Sequence, residues 1–181
     1  MNKIFTLLVA VLLCACAPST QISNDKPTTF IETISTYCGN SYRGTVIFPA
    51  DGTDPFAGKD LVMHVQTCSD SVVMIPFTVS EDKSRTWVIR KTAEGLQLKH
   101  DHRHEDGTPD EVTMYGGISS LPETSLRQQF QADSHTAQLI PAAATNEWTL
   151  EISPDGKTFS YILKRDNKMR FQADFDLTNP L

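Results

Sequence analysis

The chain has 181 residues, 39% of them hydrophobic and 21% charged, and carries a formal net charge of -6 from 22 acidic and 16 basic residues. Such a composition supports one folded domain and excludes a largely disordered or fibrous chain. It lacks the basic excess that neutralises phosphates, so no nucleic-acid partner is expected.

The N-terminus reads Met1-Asn2-Lys3, then an apolar stretch from Ile4 to Ala15 interrupted only by Thr6. One positive charge ahead of a short apolar run has the form of a secretory signal. The run is shorter than the roughly 20 residues that a membrane-spanning helix needs. Leu13-Cys14-Ala15-Cys16 resembles the cleavage box of bacterial lipoproteins, with Cys14 where that box usually has Ala, Ser or Thr. The resemblance implies cleavage after Ala15 and lipid on Cys16. Because Ala17 rather than Asp follows the cysteine, it also implies sorting to the outer membrane, facing the periplasm. The alternative is plain secretion after Ala15 or Ala17, with no lipid. Removing the leader takes away one base, Lys3, and no acid. With no polybasic patch, the lipid itself would be the membrane partner, and multiple acyl chains anchor firmly where a single one binds marginally. Residues 18–29 are rich in Pro, Ser, Thr, Asn and Asp, a composition suited to a flexible tether. The expected organisation is therefore a signal over 1–15, a lipidated tether over 16–29 and a folded domain over 30–181.

Once Cys14 leaves with the leader and Cys16 takes lipid, only Cys38 and Cys68 remain. In an oxidising compartment the expected outcome is a disulfide, with a free thiol or a metal ligand as the rival. Closing that loop would stabilise the fold by roughly 3–4 kcal/mol on the chain-entropy account. No Cys-x-x-Cys spacing suggests a redox pair.

Phe30, Ile31, Ile34 and Tyr37 fall at helical spacing and predict one short helix over 29–38, ended by Gly39. Beyond it, short branched and aromatic runs alternate with turn residues, as in an all-β chain. The expected strands are 42–49, 61–68, 72–79, 86–91, 96–102, 111–115, 126–132, 137–140, 147–153, 158–165 and 169–177. Asp51-Gly52, Ala93-Glu94-Gly95, Asp106-Gly107 and Ser153-Pro154-Asp155-Gly156 supply turns. Gly116-Gly117 reads as a strand end, and Pro141 with the alanines after it as a surface connection or one short turn of helix. Met169, Phe171, Ala173, Phe175 and Leu177 alternate with polar residues, the pattern of an antiparallel sheet with one dry face. Val46, Phe48, Leu61, Met63, Val65, Val73, Ile75, Phe77, Trp87 and Ile89 are candidates for the same interior. Short connections and the need to remove free edges predict a single antiparallel meandering β-barrel of about 8–10 strands behind a short N-terminal helix.

A helix followed by Gly39-Asn40-Ser41-Tyr42 entering the first strand, with Arg165 late in the chain, resembles a calycin, the lipocalin and fatty-acid-binding group. Lipocalins have a tryptophan where Tyr42 stands and a late basic residue packed on its ring, the place that Arg165 would fill. The resemblance implies a barrel that binds a small hydrophobic or amphipathic molecule.

One segment is chemically dense: Leu96 to Glu111 holds His100, His102 and His104 at alternate positions. On a continuous strand all three imidazoles share a face with Leu96 and Leu98, where each needs a partner or a metal. Imidazole suits zinc or another transition metal, and Glu105 would complete a set of His100, His102, His104 and Glu105. Alternate strand residues lie about 6.6 Å apart at Cα, so two histidines with a ligand from a neighbouring strand are more reasonable than three in a row. The competing reading places 102–111 in a polar hairpin loop turning at Asp106-Gly107. A third reading puts His100 or His102 at the mouth of a ligand cavity, with Trp87, Trp148 and Tyr161 as further lining. The sequence thus leaves three functions open: an anchored binder of a small molecule, a structural or protein-binding lipoprotein with a filled barrel, and a metal-dependent enzyme. Barrel interior volume separates the first two.

Overall fold

The computed structural model describes residues 29–49, 53 and 56–181. The expected signal, the lipidation site Cys16 and the tether lie outside the described residues, apart from Thr29. Among the described residues no helix is long and apolar enough to cross a membrane.

The chain opens with helix α1 (Phe30–Ser35). Thr29 accepts the Glu32 amide through its hydroxyl while the Glu32 carboxylate accepts the Thr29 amide, a reciprocal cap that sets the helix start. The helix is shorter than the spacing of its apolar residues predicts. Thr36 donates its hydroxyl to the Thr33 carbonyl, and three-residue turns carry the chain through Tyr37 and Cys38 to Gly39 at φ 85°. Phe30, Ile31 and Ile34 are fully buried in the same core as the strands.

The strands are β1 (Ser41–Phe48), β2 (Leu61–His64), β3 (Thr67–Cys68), β4 (Val72–Val79), β5 (Asp82–Thr92) and β6 (Gly95–His102). They continue with β7 (Tyr115–Ser119), β8 (Arg127–Ala132), β9 (Asn146–Ile152), β10 (Thr158–Arg165) and β11 (Lys168–Pro180). Every pairing is antiparallel, and the order β2-β1-β11-β10-β9-β8-β7-β6-β5-β4 follows the chain as a meander. Because β2 also pairs with β4, the sheet closes into a barrel of 10 strands, with the two-residue β3 pairing only with β4. Closure leaves each of the 10 barrel strands paired on both sides, which removes the exposed edges that an open sheet would carry. The barrel is consistent with a calycin-like architecture.

The barrel has two unlike ends. At one, α1 is a plug: the Phe30 amide donates to the Glu123 carbonyl in the β7–β8 connection, and the Tyr37 hydroxyl donates to the Gly156 carbonyl in the β9–β10 turn. Cys38 and Cys68 form the expected disulfide, which ties the turn after α1 to β3. The other end, the mouth, gathers the turns β4–β5 and β10–β11, residue Phe56 and the long connection between β6 and β7. Between them, inward residues fill the barrel at strict period two, as with Val73, Ile75, Phe77 and Val79 on β4. Gly44 on β1 leaves the space in which the Phe175 ring lies; a Cβ there would come within 2.5 Å of it.

The structure corrects five expectations. Residues 137–140 are not a strand but belong to helix α2 (Ser134–Leu139), capped by Asp133, whose carboxylate accepts the Thr136 amide at 2.8 Å. A short 3-10 turn at Pro141–Ala143 follows. Residues 111–114 are loop, and Gly116-Gly117 lie inside β7 instead of ending a strand. A Cβ at Gly117 would stand 1.6 Å from the Gln131 carbonyl oxygen, and one at Gly116 1.9 Å from that of Leu98, so only glycine lets the neighbouring chains come this close. Phe48 is 40% exposed near the mouth and does not join the core. Arg165 does not pack on Tyr42: Tyr42 pairs with Pro180 at one end of β11, and Arg165 pairs with Lys168 at the other. Arg165 instead donates to the Asn146 side chain at 2.8 Å, while Tyr42 meets the Tyr37 ring edge-on.

Candidate functional site

The inward face at the mouth is aromatic and carries a hydrogen-bonded polar network. Cross-strand register builds it: Arg85 on β5 faces His102 on β6, Trp87 faces His100, and His100 faces Tyr115 on β7. Phe77 and Tyr161 stack on Trp87 at 4.8 and 4.7 Å between ring centres. Tyr115 stacks on His100 at 4.6 Å, and Trp148 lies behind both. Phe56 and Phe171 complete the wall in edge contact at 5.3 Å.

His100 is buried, and both its ring nitrogens have partners. Nδ1 lies 3.2 Å from the Tyr115 carbonyl, which can only accept, so Nδ1 carries the proton. Nε2 therefore accepts from the Tyr161 hydroxyl at 3.0 Å. Burial holds the His100 pKa down at about 3, outweighing the bond to the Tyr115 carbonyl that favours the charged form. Burial likewise pushes the Tyr115 phenol up to about 12 and the Tyr161 phenol well above its ordinary value. At neutral pH the network is uncharged, as its depth requires.

Nearer the opening, His102 accepts or donates at Nε2 to the Tyr115 hydroxyl, 3.0 Å away. Partial burial and then the Arg85 guanidinium lower its pKa, against the pull of Asp110, Asp82 and Asp101. Arg85 is paired with Asp82 and lies 5.7 Å over the Phe56 ring. Burial raises the Asp82 pKa, but hydrogen bonds from Ser84 and the guanidinium more than offset it and hold the carboxyl at about 2. The long β6–β7 connection is tied down by Thr113, which accepts the His102 amide at 2.7 Å and donates to Asp101; Arg103 also grips Asp101 at 2.9 Å.

These walls enclose a recess of about 80 Å³ lined by Phe56, Phe77, Arg85, Trp87, His102, Tyr115, Tyr161 and Phe171, with His100 at its base. Ligand cavities that engulf a drug-sized molecule run from about 300 to 1,000 Å³, so most of this barrel interior is occupied by its own side chains.

Of the residues expected from the sequence to bind a ligand, Trp87, His100, His102 and Tyr161 line the recess and Trp148 backs it. The four residues expected to hold a metal are not brought together. β6 ends at His102, and the Asp106-Gly107 turn, in which Asp106 accepts the Thr108 amide at 2.9 Å, throws His104 and Glu105 outward. Both are exposed and face a surface groove of about 540 Å³ along Glu81–Ser84. Among the described residues no three His, Cys, Asp or Glu side chains are grouped to hold a metal ion. Arg85, Tyr115, Phe56, Phe77 and Phe171 were not among the expected site residues. Arg85 is legible as the residue two before Trp87 and so on its face; Tyr115 is not, because the sequence pattern ends a strand at the residue that opens β7.

No family model matches the chain, and no curated protein matches it.

Proposed function

We propose that this protein is an outer-membrane lipoprotein, held on the periplasmic face by lipid on Cys16, whose barrel mouth binds a small amphipathic molecule. The leader sequence supports the anchoring. The observation that carries the binding role is the recess itself, where aromatic walls meet Arg85, His102 and two phenols at the open end of an otherwise filled barrel. The ligand is a single-ring or short-chain molecule that enters one end first, since about 80 Å³ cannot take a long acyl chain.

Two measurements test this. Cys16→Ser should move the protein from the membrane fraction to the soluble periplasm; continued membrane retention would remove the anchoring role. Trp87 lines the recess, so titration with benzyl alcohol should change tryptophan emission saturably, while palmitate should not. A second reading is favoured by the small cavity volume: a filled barrel that serves as a tethered structural or protein-binding body. Absence of any saturable response to single-ring amphiphiles would select it.

A further inference from the structure

The mouth recess has directional chemistry that its aromatic walls alone do not supply. Asp82 engages one nitrogen, Nη1, of the Arg85 guanidinium. The other guanidinium N–H groups of Arg85 have no acceptor among the described residues, although the side chain lines the recess. An arginine carries five donors in a flat fork, and a paired carboxylate at one corner still leaves a donor edge.

His102 adds a second donor. The Tyr115 phenol is mostly buried, and the imidazole is its hydrogen-bond partner. Leaving the phenol proton unpaired would be costly, whereas a neutral imidazole nitrogen readily accepts it. Tyr115 therefore donates to Nε2, and the imidazole proton resides on Nδ1, which makes no hydrogen bond to a described residue. Register places Arg85 and His102 directly across from each other on the same face of β5 and β6. Two donors with no further acceptor among the described residues thus stand side by side in a recess walled by the rings of Trp87, Tyr161 and Phe171.

Donors select an acceptor, and although Asp82 neutralises Arg85 at one corner, the free edge of the fork still presents N–H groups suited to a carboxylate. The Arg85 cation already lies over the Phe56 ring, the position that a cationic ligand would take in an aromatic cage. A ligand ammonium would meet it as a like charge. We propose that the recess takes a small monocarboxylate with its apolar part inward and its carboxylate held at the opening by Arg85 and His102. This inference rests on the reading of the mouth as a ligand site. The recess has room for about the volume of two or three liquid waters, at about 30 Å³ each, so the apolar part is at most about one ring.

The test uses three probes of one shape: benzoate, neutral benzamide and cationic benzylamine. Titrated into the full-length protein and followed by tryptophan emission, benzoate should bind at least 10-fold more tightly than benzamide, and benzylamine least. Arg85→Gln should cut benzoate affinity at least 10-fold while leaving benzamide within about 2-fold. Should that variant fail to fold, the wild-type protein decides: benzoate should shift the His102 Nδ1 and Arg85 side-chain nitrogen signals in nuclear magnetic resonance spectra. Equal binding of the three probes, or benzoate binding that is indifferent to Arg85→Gln and leaves those signals unmoved, would overturn the preference for an acid. If benzamide binds and benzoate does not, the acid inference falls while the mouth remains a ligand site. If none of the three binds at millimolar concentration, both fall together.

Discussion

At His100, one side chain bears on chemistries that its sequence neighbourhood leaves open. Alternating histidines suggest metal, yet Nδ1 donates to a carbonyl and Nε2 accepts from Tyr161, so no lone pair is spare. The same arrangement makes stability depend on pH. His100 is a base whose folded pKa, about 3, lies below its ordinary 6.5. Between those values the unfolded chain binds the proton and the folded one does not, so stability falls as pH falls from about 6.5 towards 3. At pH 4 the loss due to this group should be about 3 kcal/mol relative to pH 7, as 1.36 kcal/mol accompanies each pKa unit. Urea denaturation of the wild type and of His100→Gln at both pH values measures it; the variant, lacking the imidazole, should show a smaller acid loss. A second residue-scale expectation concerns Gly117. Its added Cβ would collide with the backbone oxygen of Gln131 and not with a yielding side chain, so Gly117→Ala should lower stability by about 2 kcal/mol or more, read from the denaturation midpoint.

Among the elements, α1 shows how a segment too short to be stable alone becomes part of the core. Six residues cannot hold a helix in water, and its order comes from the reciprocal Thr29–Glu32 cap, the burial of Phe30, Ile31 and Ile34, and the disulfide at Cys38. Ile34→Ala should cost about 2–5 kcal/mol, the usual range for emptying a filled core position. Removing the disulfide as Cys38→Ser with Cys68→Ser should cost about 2–5 kcal/mol by thermal or chemical unfolding. The apolar spacing of α1 was visible in the sequence, as were the alternating strands β4, β10 and β11. The period-two pattern failed where the window was short or the residue unusual. Residues 137–140 offer too few positions to tell a helix from a strand, and α2 depends on the Asp133 cap and on Thr136, whose hydroxyl bonds the Gly116 carbonyl at 2.8 Å. Gly116-Gly117 look like punctuation in a linear reading, because the crowding that demands them comes from β6 and β8.

For the whole molecule, closure is the property from which the rest descends. A closed meander has no weak edge, so amide exchange should be slowest in the paired, inward-facing centres of β4, β5, β10 and β11. It should be faster by orders of magnitude in 104–112, where little backbone pairing protects the chain. Hydrogen-exchange mass spectrometry checks this, and uniform protection across both regions would contradict it. Closure also explains the size of the recess. Ten strands surround more space than simple aliphatic packing fills, and here α1 takes up one end while stacked rings of Phe77, Trp87 and Tyr161 take up the middle.

Features that depend on near neighbours along the chain are legible in the sequence: the alternation that makes strands, the apolar spacing of α1, the turn at Asp106-Gly107, and the presence of just two cysteines, Cys38 and Cys68, beyond residue 16. From these follow an all-β barrel, its short N-terminal helix and the Cys38–Cys68 bond. Which side chains meet across the interior follows only from the folded barrel. That His100 finds Tyr161, 61 residues away, and that Arg85 faces His102 are consequences of register between strands. Strand register is a collective outcome of packing all the inward faces at once, and a single segment carries no record of it.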